Sequence, residues 1–83
     1  MEKSMWIRTA DGQLVNSAWV KRIYAEDEDD IFKVTAEMND GCDVILSFSE
    51  SAKSAMQNID FVHKSLTQGI PVCKLYSDVK ERT

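Results

Sequence analysis

The chain has 83 residues, 43% hydrophobic and 29% charged, with a net charge of −4, which is the composition of one small globular domain. At this size folding removes only roughly 60–65% of the unfolded surface from water, so a second domain is excluded and the core must be thin. No run of 18 apolar residues exists, and Met1–Arg8 meets a charge before an apolar leader core forms, so neither a membrane span nor a signal peptide is expected and the cytoplasm is the expected location.

Met5–Ala10 is rich in β-formers, and Asp11-Gly12 follows as a hairpin dipeptide. Leu14–Asn16 resumes as a strand, Asn16-Ser17-Ala18 reads as a short turn, and Lys21–Ala25 reads as a third strand. Glu26–Asp30 places five acids in succession, which predicts an exposed, mobile linker. Ile31–Met38 alternates, with Phe32, Val34, Ala36 and Met38 on one face and Lys33, Thr35 and Glu37 on the other. Asn39-Asp40-Gly41 makes a second glycine turn, and Cys42–Phe48 returns as a strand.

The period changes at Ser49, whose hydroxyl is placed to cap a helix over 50–68. Ala52, Met56, Ile59, Val62 or His63, and Leu66 fall at 3.6-residue spacing and form its apolar stripe, and Gly69 supplies the left-handed stop. Phe61 lies about 180° from Ala52. It is covered either by the chain from Ile70 to Tyr76 or by a partner. After Pro71, Val72–Tyr76 reads as a last strand before a polar tail over 77–83. These elements predict one α+β domain over 1–83, with 1–4 as an extension. A small twisted antiparallel sheet of about five to six strands packs against one helix in the C-terminal half.

Residues 26–43 carry eight acids against Lys33 alone, while the rest of the chain is net basic. Such a field repels phosphate backbones, so direct nucleic-acid binding is not expected. It attracts a basic protein surface, which makes Glu26, Asp27, Glu28, Asp29 and Asp30 candidate partner-binding residues, with Phe61 as a candidate apolar contact. Phe61 and open sheet edges together predict a homo-oligomer, most simply a dimer. An alternative is a small-ligand site in which Arg8, Lys21 and Arg22 hold an anionic metabolite or nucleotide, stacked on Trp6, Trp19 or Tyr24.

Catalytic supply is poor. His63 is the only imidazole, and Cys42 and Cys73 form no C-x-x-C, so a thiol nucleophile requires one of them beside His63. The glycines stand alone, with no phosphate loop. No metal site or cofactor is expected, and the reading is non-enzymatic.

Trp6-Ile7-Arg8-Thr9, Asp11-Gly12 and Leu14-Val15-Asn16 resemble the opening of small bacterial and phage proteins that begin W-I-R-T-x-D-G-x-L-V-N, a group that carries no assigned activity. The resemblance covers about the first quarter of the chain, and those relatives start at the equivalent of Met5. The layout is also similar to that of small flagellar proteins of the FlbD type, in Asn16, Trp19, Val20 and Ile23, in the hairpin at Asn39–Gly41, and in the Ser-Glu helix start. The longer acidic stretch departs from that pattern, so the resemblance implies layout and no function.

Overall fold

Period-two alternation organises the first half of the chain into five strands, as the computed structural model of residues 4–77 shows. The remainder of the expected extension and the tail beyond Ser77 lie outside the described residues. The strands are β1 (Trp6–Arg8), β2 (Leu14–Asn16), β3 (Val20–Glu28), β4 (Ile31–Met38) and β5 (Asp43–Ser49). The helix α1 (Ala52–Thr67) and the strand β6 (Val72–Lys74) follow. Among the described residues the α+β class, six strands from the expected five to six, and one α-helix in the C-terminal half are as the sequence reads, whereas the expected single antiparallel sheet is divided in two. The strands divide into two three-stranded sheets, β2-β1-β6 and β3-β4-β5. Within the first, β6 runs parallel to β1, with Ile7 beside Cys73. Hairpin turns reveal which neighbours pair, but a terminal strand after a helix carries no such signal.

Local chemistry fixes the connections. In the β1–β2 turn the buried Thr9 accepts the Gln13 amide at 2.9 Å through Oγ1 and donates to the Asp11 carboxylate. Gly12, at φ 95°, closes the turn. Asn16 accepts the Ala18 amide at 2.9 Å and caps a 3-10 turn, Ser17–Trp19, that leads into β3.

The acidic stretch corrects the expected linker. β3 continues through Glu26, Asp27 and Glu28, and only Asp29 and Asp30 turn, at φ 52° and 66°. Two central residues with positive φ are the signature of a tight two-residue hairpin, and aspartate tolerates that region better than most residues. Lys33 stands opposite Glu26 and pairs with Glu28, offsetting repulsion that otherwise opposes strand pairing.

Helix α1 corrects two further expectations. Ser51 caps it by accepting the Ser54 amide at 3.1 Å, while Ser49 is the last residue of β5 and is fully buried. The buried face is Ala55, Val62 and Ser65, flanked by the half-buried Ile59 and Leu66. Ala52 and Met56 are exposed. The rotation has a polar cause: Asn58 Nδ2 donates to Ser47 Oγ at 3.2 Å and to Ser49 Oγ at 3.0 Å, drawing a polar position of the helix onto β5. At the other end Gly69, at φ 73°, donates to the Leu66 carbonyl and Ile70 to the Ser65 carbonyl, each at 3.1 Å. These two bonds form a Schellman stop at the glycine the sequence indicated.

The core lies between α1 and the two sheets and includes Met5, Ile7, Val34, Leu46, Val62, Cys73 and Leu75. Leu46 is an extra residue in β5: Val34 faces Ser47, and Thr35 faces Ile45. The bulge buries Leu46 and Ser47 in succession. Its carbonyl accepts the Ala10 amide at 2.8 Å and ties one sheet to the other.

Candidate interaction surfaces

The acids of residues 26–43 do not form one patch. Glu26–Asp30 lie at one end of β4, and Asp40 and Asp43 lie at the other. Eight residues of extended chain separate them by about 25 Å. That is roughly three screening lengths at physiological salt, so the two ends act independently. Glu37 is also engaged, pairing with Arg22 across β3 and β4. The concentrated acidity is therefore the β3–β4 end, where all five acids are exposed and Lys33 is the neighbouring base. Glu28, hydrogen-bonded to the Lys33 ammonium, holds that pKa above its ordinary value.

Phe61 is 47% exposed, so residues 70–76 do not bury it. It lies on the flank of α1 shared with Asn58 and Ser65. His63, two residues on and about 200° around the helix, borders β3 instead. The structure thus places Phe61 on the side of α1 away from the strand that carries the acids.

The residues of the alternative ligand site fall in separate places. Arg22 and Tyr24 share the outer face of β3, with the guanidinium 4.9 Å from the ring centroid and already paired with Glu37. Lys21, at a bulge, lines a mostly apolar groove of about 390 Å³ with Ile23, Ile59, Val62, His63 and Leu66. Trp19 stands exposed on the 3-10 turn. Arg8 belongs to the other sheet, beside Leu14 and Lys74.

Arg8 belongs to a surface that is not evident from the sequence alone. Trp6, Leu14 and Val72 are exposed on the outer face of the β2-β1-β6 sheet, with Arg8 and Lys74 among them. The signal was present as the period-two partners of the buried Ile7, Val15 and Cys73. It required the β1–β6 register to be assembled. A second apolar groove, of about 520 Å³, runs beside β5 between Ile45, Phe48 and Tyr76. Ser77 partly shields that edge, accepting the Phe48 amide at 2.9 Å through Oγ.

Both thiols are free. Cys42 is exposed in the β4–β5 turn, and its pKa is raised first by the charge of Asp40 and then by a hydrogen bond to it. Cys73 is buried, and desolvation raises its pKa against a lowering hydrogen bond from Ser65. Each environment disfavours thiolate, the opposite of what an activated nucleophile needs. Asp40→Asn is expected to speed iodoacetamide alkylation of Cys42 near neutral pH, through a larger thiolate fraction, with the gain vanishing at high pH where both thiols are ionised. An unchanged rate at pH 7.5 contradicts the assigned cause.

Among the described residues no group of three His, Cys, Asp or Glu side chains is placed to hold a metal ion. None of their helices is long and apolar enough to cross a membrane. Compared with family models, curated proteins and solved structures, the chain matches none of them.

Proposed function

We propose that the protein is a non-enzymatic interaction module that binds or inhibits a protein partner with a basic surface through the acidic end of the β3–β4 hairpin. The observation that carries this reading is the way the five acids are held. Glu26, Asp27 and Glu28 are strand residues and Asp29 and Asp30 a two-residue turn, so a partner meets a preorganised array. Fixed like charges also steer diffusional encounter. The same field disfavours direct contact with nucleic acid. The resemblance of residues 6–16 to the opening of small bacterial and phage proteins is the ground for proposing a phage or mobile-element origin, with action in the cytoplasm.

The test is affinity capture from the native host with the wild type and a tip variant, Glu28→Gln with Asp29→Asn and Asp30→Gly, which keeps residues suited to the turn. A protein with a basic surface retained at low salt by the wild type, and lost with the variant or at high salt, supports the reading. Equal capture by both removes the tip from it.

A second reading is favoured by one observation: Arg8 and Lys74 are adjacent on the outer sheet face that also carries Trp6. Two cations beside a flat ring suit an anionic small ligand. Native mass spectrometry of the purified protein, before and after Arg8→Ala, checks it. A bound anion that survives the substitution contradicts that placement.

A further inference from the structure

The outer edge of β3 is open. β3 ends the order β3-β4-β5, and among the described residues 21–28 make no backbone hydrogen bond outside the β3–β4 ladder. The two-residue turn makes Glu28 and Ile31 a hydrogen-bonded pair. Alternate residues Asp27, Ala25 and Ile23 therefore direct their N–H and C=O groups outward. Charge ordinarily keeps such an edge single. Here the sign reverses along the strand, with Lys21 and Arg22 at one end and Glu26, Asp27 and Glu28 at the other.

We propose that β3 pairs antiparallel with β3 of a second copy of this chain, with the two-fold axis at Tyr24. In that register Tyr24 faces its own copy, Ile23 and Ala25 exchange backbone hydrogen bonds, Arg22 stands opposite the second copy's Glu26, and Lys21 stands opposite its Asp27. Every one of these charge pairs is attractive and is made twice by symmetry. The neighbouring in-phase registers match less well: an axis at Ile23 leaves Arg22 opposite Tyr24 and Lys21 opposite Ala25, and one at Ala25 sets Ile23 opposite Asp27 and Tyr24 opposite Glu26, keeping only Arg22 opposite Glu28 within the strand. Arg22 is already steadied on the outer face by Glu37 and the Tyr24 ring. On the inner face, the exposed Met56 lies seven residues before His63, on the flank of α1 that borders this edge. The result is one six-stranded sheet. Asp29 and Asp30 remain outside the paired span, roughly 35 Å from their copies, so each dimer carries the acidic tip twice.

Sedimentation velocity from micromolar to millimolar concentration is expected to show a concentration-dependent dimer. Lys21→Glu with Arg22→Glu makes the strand acidic, and Glu26→Lys with Asp27→Lys makes it basic. Each variant alone is expected to weaken self-association at least about tenfold. Mixed, the two are expected to form a heterodimer, a gain that misfolded variants would not produce. Tyr24→Cys in a Cys42→Ser background is expected to oxidise to a covalent dimer, and Trp19→Cys is not. A wild type that stays monomeric, a dimer that survives both reversals, failure of the mixed variants to associate, or an unlinked Tyr24→Cys each overturns the proposal. So does occupation of the edge by an extended peptide with no self-pairing. The tip variant retains Lys21, Arg22, Glu26 and Asp27, so failure of the partner reading and failure of this pairing are read separately.

Discussion

Ile7→Ala is expected to lower stability by about 2–5 kcal/mol, the cost of deleting a buried branched side chain and leaving a cavity. Ile7 is fully buried on β1, the strand that holds β2 on one side and β6 on the other. A domain of this length has about 4–12 kcal/mol in total, so the variant loses a large share of its stability and unfolds at a much lower urea concentration. Leu46→Ala is expected to match it, because the β5 bulge turns that side chain fully inward. Met56→Ala should change stability by less than about 0.5 kcal/mol, since that side chain is exposed. Urea midpoints for the three variants decide the matter. A Met56 effect equal to that of Ile7 would restore the helical stripe that periodicity alone predicts.

Asn58→Ala is expected to cost about 1–3 kcal/mol, as the buried hydroxyls of Ser47 and Ser49 lose their amide donor. Replacing Ser47, Ser49 and Asn58 together by apolar residues of similar size should recover much of the loss, because no buried polar group is then left unpaired. A single variant as stable as the wild type would mean that the Asn58 amide does not orient the helix.

The difference between Met56 and Asn58 shows what was legible beforehand. Apolar spacing identified a helix and its Gly69 stop, but several rotations of that helix bury comparable apolar area. The choice among them rests on two serines at inward positions of β5, which break that strand's alternation and read as polar surface. The glycine turns at Gly12 and Gly41 and the inward face of Phe32, Val34, Ala36 and Met38 were readable, because each depends on residues adjacent in the chain. The parallel pairing of β6 was not, since nothing local selects β1 as its partner.

The acidic site was half legible. Composition located the charge at Glu26–Asp30, but a run of acids reads as a linker until Lys33 is seen opposite Glu26 and bonded to Glu28. Forming the strand turns a diffuse charge into a fixed one. It also gives β3 basic and acidic ends. The scattered cations have the reverse history: Arg8, Lys21 and Arg22 looked convergent in sequence, yet they occupy two sheets and opposite faces of one strand.

The central claim is that the preorganised acids at the β3–β4 end recruit a basic protein partner. Its most direct test is the association rate constant of the captured partner with the wild type and with the Glu28→Gln, Asp29→Asn, Asp30→Gly variant, measured by stopped flow across a salt series. The variant's rate is expected to be about tenfold lower at low salt, with a shallower salt dependence and convergence of the two rates at high salt. Equal rates with equal salt slopes would contradict it and leave these acids a role in solubility alone.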